Sequence, residues 1–85
     1  MDISKDEQRV LHALAKGGRL TAQKTSAGRI IDVELLTREG WAMPGVTARL
    51  FRKLKSMRAI ASRQGQPYRI TRRGLELVRA QLDNR

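Results

Sequence analysis

The chain contains no cysteine, so disulfides, thiolate nucleophiles and cysteine-ligated zinc are excluded. It contains one histidine, His12. A lone imidazole without a second soft ligand argues against a transition-metal site, and His12 is expected to be a structural or surface residue. Aromatic residues are confined to Trp41, Phe51 and Tyr68. The core must therefore be mostly aliphatic, and one exposed ring does not make a base-stacking platform. Trp41 is expected either to cap the core or to anchor a protein partner; Tyr68 is expected to pack in the core. No run approaches the ~20 apolar residues that span a bilayer, so no membrane partner is expected. The first residues turn polar within four positions, which is not a secretory signal. These features lead us to expect a soluble, cytoplasmic protein.

Acidic residues are also missing from a long stretch. Between Gly40 and Leu75 there are none, while Arg49, Arg52, Lys53, Lys55, Arg58, Arg63, Arg69, Arg72 and Arg73 fall within it. Residues 1–39 carry seven bases and six acids, and residues 76–85 two of each. The net charge of +10 is thus concentrated in one segment. Clustering of this kind speaks to partners rather than to fold, and suits a polyanion or an acidic protein surface.

What is present reads as one domain, residues 1–85. A chain of 85 residues buries roughly 60–65% of its unfolded surface, enough for one small core but not for an enclosed pocket. No catalytic motif, metal-ligand spacing or cofactor loop is recognisable, so a non-enzymatic protein without a cofactor is expected. Asp32 and Glu34 are read as the solvent side of a strand rather than as paired catalytic carboxylates.

Ser4 with Glu7 three residues on forms a capping box, and Val10, Leu11 and Leu14 recur at helical spacing. A helix over 5–16 follows, closed by Gly17 and Gly18. Residues 30–37 alternate, with Ile31, Val33 and Leu35 on one face, and predict a hairpin over 19–37. Residues 38–43 read as a connection, with Pro44 in the first turn of the next helix or on the approach to it. Residues 46–57 read as a basic amphipathic helix with Val46, Leu50, Leu54 and Met57 inward. Phe51 lies further round; Arg49, Arg52 and Lys55 point outward, flanked by Arg58. A second hairpin, residues 60–70, turns at Gly65. Thr71 is the expected N-cap of a last helix over 72–82, with Leu75, Val78 and Leu82 inward, and residues 83–85 are expected to fray.

The order helix, hairpin, helix, hairpin, helix is α+β and winged-helix-like in its second half, where a recognition helix is followed by a two-stranded wing. It departs from the usual pattern in its first half, where a hairpin fills most of the interval that a second helix occupies. A helix pair packed on an unrelated mixed sheet is the alternative.

Several segments resemble the YjhX-type proteins, a small bacterial family: EQR at 7–9, LH at 11–12, LAKGG at 14–18, SAGR at 26–29, REG at 38–40, FRKLK at 51–55, GQPYRI at 65–70 and VRAQLDNR at 78–85. These proteins are described as toxins that inhibit DNA topoisomerase I. The resemblance implies a non-enzymatic inhibitor that binds the topoisomerase and is neutralised by a cognate antitoxin encoded beside it. It carries no catalytic residues over to this chain.

The candidate contact residues are Arg49, Arg52, Lys53, Lys55, Arg58, Arg63 and Arg69. Their plain alternative is a solvated surface, but such surfaces mix signs, and within this segment no acid is available. Arg63 and Arg69 flank the hairpin turn, where charge also discourages edge pairing. Arg72 and Arg73 stand at a helix start, where the dipole disfavours cations. The partner of this face is either a topoisomerase or DNA itself, the latter making the chain a winged-helix regulator.

Overall fold

A computed structural model describes residues 3–83. It is α+β, with three helices and two antiparallel sheets.

Helix α1, Lys5–Ala15, begins on the expected capping box. The Glu7 N–H donates to Ser4 Oγ at 3.1 Å and the Ser4 N–H to Glu7 Oε1 at 2.9 Å. That reciprocal pair lets Glu7 be buried, at 8% exposure, without an unmet polar atom. Val10, Leu11 and Leu14 form its core face. Its end is a Schellman turn: the Gly18 N–H donates to the Ala13 carbonyl and the Gly17 N–H to the Leu14 carbonyl, at 3.1 and 3.0 Å. Gly17 takes the φ of 108° that this turn needs.

Strands β1 (Arg19–Lys24) and β2 (Ile30–Leu36) pair antiparallel. The register slips between Gln23 and Lys24, so that Gln23 faces Asp32 and Lys24 faces Ile30. Ile31 is left opposite nothing, a β-bulge. The alternation therefore breaks there: Val33 and Leu35 are buried, but Ile31 is 61% exposed rather than inward. The expected connection over 38–43 is in part a third strand, β3 (Ala42–Met43), which returns on Leu36 and Leu35. The reversal is closed by the Thr37 N–H donating to the Trp41 carbonyl at 2.8 Å, with Gly40 at φ 94°.

Helix α2 is Ala48–Ser56, shorter than the periodicity predicts. Thr47 is its N-cap, with Oγ1 accepting from the Leu50 N–H at 3.2 Å. Pro44 and Val46 lie on the approach. Phe51 and Leu54 are fully buried and Met57 nearly so, whereas Val46 and Leu50 are only half-buried. Phe51 thus belongs to the packed face, with Leu54 between it and Met57.

Strands β4 (Ile60–Ala61) and β5 (Arg69–Ile70) make the second, smaller hairpin. Tyr68, just before β5, bridges Leu20 of β1 through two backbone hydrogen bonds of 2.7 and 3.0 Å. The hairpin is thereby stitched to the first sheet, and the Tyr68 ring meets Phe51 edge-on, with centroids 4.8 Å apart and planes at 87°.

Helix α3, Arg72–Asp83, starts on Thr71, whose Oγ1 accepts from the Gly74 N–H at 3.1 Å. Asp83, expected to fray, is still helical. Leu77 and Val78 are buried and Leu75 half-buried; the inward role of Leu77 escapes the simple stripe. The Leu82 side chain, and Asn84 and Arg85, lie outside the described residues. Gly74 allows α3 to lie against the Ala59 carbonyl, because a Cβ there would collide with that oxygen.

Candidate interaction surface

Thr47 starts α2 and the Phe51–Leu54–Met57 face fixes its rotation. What remains outward is Arg49, Arg52, Lys53 and Lys55, all exposed. They are not alone in space. The cleft of about 590 Å³ between α2 and the start of α1 is lined by Arg49, Arg52 and Lys53 on one side and by Asp6 and Glu7 on the other. The acid-free segment therefore has acids as neighbours, brought from forty residues away. Local sequence explains Asp6 and Glu7 as first-turn residues of α1, so nothing in it signals this second position. Lys55 turns the other way: its ammonium lies 5.9 Å from the centre of the Tyr68 ring, a contact of about 0.5–1 kcal/mol when exposed.

Arg58 ends the helix. The Ala59 N–H donates to the Leu54 carbonyl and the Arg58 N–H to the Lys55 carbonyl, both at 3.0 Å. This is again a Schellman turn, but its left-handed residue is Arg58, at φ 60°. Thr71 Oγ1 donates to the Arg58 carbonyl at 2.6 Å, and the Thr71 N–H donates to the Ala59 carbonyl at 2.9 Å. The backbone of Arg58 is thus held by α2 behind it and by the start of α3 beside it, while its side chain is exposed.

The arginines around the second hairpin divide by role. Arg63 opens the tight turn closed by the Gln66 N–H to the Arg63 carbonyl at 3.1 Å, with Gln64 and Gly65 both at positive φ. Arg69 Nη1 donates to the Gly17 carbonyl at 3.2 Å, tying the hairpin to the end of α1, where a cation also suits the helix dipole. Arg73 Nε donates to the Met57 carbonyl at 3.1 Å and so caps α2; its placement at the start of α3 has a structural use. Arg72, not among the candidates read from sequence, joins Arg63 and Arg69 in a cleft of about 610 Å³ beside the hairpin.

Asp32 Oδ1 accepts from the Val33 N–H at 2.9 Å, a local bond, and Glu34 is exposed. No group of three or more potential metal ligands exists among the described residues. Trp41 is 73% exposed and so does not cap the core. No described helix is long and apolar enough to cross a membrane.

The model of the YjhX toxin family, described as "putative toxin of bacterial toxin-antitoxin pair", matches residues 1–85. The chain belongs to this family. Relatives matched over nearly their whole length bear it out: the UPF0386 protein of Chelativorans sp. (strain BNC1) is 58% identical over 85 residues, covering all of both chains. That of Hyphomonas neptunium is 57% identical over 84 residues, 99% of each. That of Caulobacter vibrioides is 56% identical over 85 residues, all of this chain and 93% of the relative. No solved structure matches the chain. A toxin of a toxin–antitoxin pair implies a cognate antitoxin as partner.

Proposed function

We propose that this chain is a small, basic, non-enzymatic toxin of the bacterial cytoplasm that binds DNA topoisomerase I and inhibits it. The observation that carries the reading is the exposed run of Arg49, Arg52, Lys53, Lys55 and Arg58 on one nine-residue helix and its end, in a member of a toxin family. An enzyme that handles DNA offers such a surface two counterparts, the acidic patches of the protein and the phosphates of its substrate. A helix fixed by Phe51 and Leu54 holds Arg49, Arg52 and Lys53 on one side and Lys55 towards the hairpin, so the surface can oppose either counterpart without refolding.

The arrangement supports a winged-helix-like description. α2 stands as the recognition helix, the β4–β5 hairpin as the wing, and the Leu20–Tyr68 bridge joins the wing to the strand after α1. The β2–β3 hairpin takes the place of the second helix. This favours a second reading, in which α2 enters a DNA groove, Arg63 meets phosphate, and the protein acts as a regulator.

A pulldown of purified bacterial topoisomerase I in nuclease-treated buffer separates the two. Retention at moderate salt, with inhibition of plasmid relaxation in proportion to binding, is the expected result. No retention, together with tight binding to a plain duplex, leaves the regulator reading in its place.

A further inference from the structure

The N-terminal third looks balanced when its charges are counted along the chain, but the fold sorts them. Lys5, Arg9, His12 and Lys16 follow one another at i, i+4, i+7 and i+11. At 3.6 residues per turn they fall within about 60° of arc, directly opposite the buried Glu7–Val10–Leu11–Leu14 face. All four line a groove of about 530 Å³ between α1 and the β2–β3 turn. Arg38 faces them from that turn, and among the described residues Glu39 is the only acid of the lining. The acids of α1 lie elsewhere, in the cleft with α2. Arg9 Nη2 donates to the Pro44 carbonyl at 3.2 Å, which fixes the spacing of the two walls.

The groove also has an apolar part. Ala13 and Met43 line it, and Trp41, 73% exposed, stands two residues before Met43 on the same short hairpin. A phosphate backbone has nothing to place on an alanine and a methionine; a protein side chain does, and methionine adapts to what it meets. We propose that this groove is a second docking site, built to take an acidic helical segment of a protein partner. Its carboxylates lie along the α1 stripe and an apolar residue sits at Met43 and Trp41. The groove shares no lining residue with the clefts that hold Arg49, Arg52, Lys53, Arg63, Arg69 and Arg72. A partner seated here leaves the α2 face open. Such a partner and a target of the α2 face bind together rather than in competition. The inference does not depend on which target the α2 face takes.

The probe is a labelled helical peptide of glutamate, alanine and leucine, about three turns long to match α1, with a duplex oligonucleotide as the parallel ligand. Two double variants are compared with the parent by fluorescence anisotropy, and each is checked by thermal melting. Lys5→Glu with Arg38→Glu is expected to weaken peptide binding by about tenfold or more while leaving duplex binding within about twofold. Arg52→Glu with Lys53→Glu is expected to do the reverse. Should the groove variant melt early, Trp41→Ala serves in its place, since an exposed side chain is removed without touching the core. It is expected to weaken the peptide alone. The proposal is overturned if the parent does not bind the peptide. It is equally overturned if the folded groove variant and Trp41→Ala bind it like the parent, or if the groove variant loses duplex and peptide alike.

Discussion

Arg58 occupies the position at the end of α2 that Gly17 occupies at the end of α1. Both close a Schellman turn with the same pair of backbone hydrogen bonds, and both have positive φ, 60° and 108°. A side chain in the left-handed region costs about 1–2 kcal/mol, and the position is usually glycine. Arg58→Gly is therefore expected to raise stability by about 0.5–1 kcal/mol, once the entropy that glycine loses on folding is set against the strain it relieves. If the guanidinium serves the α2 face, the same variant binds the target of that face more weakly. Chemical denaturation and a binding titration on one preparation read both effects, and a variant that is no more stable than the parent denies the strain.

Gly74→Ala sets two expectations against each other. Alanine in a helix interior is favoured over glycine by about 0.8–1 kcal/mol. Here, however, its Cβ meets the Ala59 carbonyl and lies 2.7 Å from Ile70 Cγ1. Because α3 must move off the β4–β5 hairpin to accommodate it, overpacking wins and a loss of about 1–3 kcal/mol is expected. A urea midpoint that rises instead would mean the two elements are not in this close contact.

Phe51→Ala removes the largest fully buried side chain and its edge-on contact with Tyr68. The expected loss is about 3–5 kcal/mol, a large part of the stability of any small domain. Ile31→Ser, on an exposed bulge, is expected to stay within about 0.5 kcal/mol of the parent. Paired thermal melts check both.

These residues also mark what sequence reading can reach. The capping box at Ser4, the glycine stop of α1 and the basic outward face of α2 are local features, and short-range rules suffice for them. The burial of Phe51 does not follow from the apolar arc of Val46, Leu50, Leu54 and Met57, because Val46 precedes the Thr47 cap and Leu50 is only half-buried, while Phe51 meets Tyr68 of the distant hairpin. Strict alternation turns Ile31 inward only on an unbroken ladder, and the slip at Gln23 and Lys24 is a property of the pair, not of either strand. The Leu20–Tyr68 bridge, the capping of α2 by Arg73, and the cleft shared by Asp6, Glu7, Arg49 and Arg52 join parts of the chain far apart in sequence. No periodicity carries them.

Arg69 and Arg63 look alike along the chain, flanking one turn, but differ in the fold. Arg69→Ala loses a charged hydrogen bond to the Gly17 carbonyl and is expected to cost about 1 kcal/mol of stability. Arg63→Ala is expected to leave stability within about 0.5 kcal/mol and to act on binding instead. The separation is read by melting each variant and titrating each with duplex; equal stability of the two would remove the structural role given to Arg69.

Salt distinguishes the counterparts of the α2 face. If Arg49, Arg52, Lys53 and Arg58 of this face, with Arg63 of the neighbouring hairpin, each neutralise a phosphate of duplex DNA, log affinity falls with log salt at a slope of about −4 to −5, and Arg52→Glu with Lys53→Glu lowers its magnitude by about 2. Binding to an acidic protein patch releases no condensed counterions, so its dependence follows ordinary screening and flattens once the Debye length drops below the contact spacing. Measuring both slopes on purified topoisomerase I and on a bare duplex compares the counterparts on one scale. A shallow slope for the enzyme and a steep one for the duplex make the two contacts physically different uses of the same five side chains. Equal, steep slopes would mean that the apparent enzyme contact runs through bound nucleic acid, and the inhibitor reading would give way to the DNA-binding one.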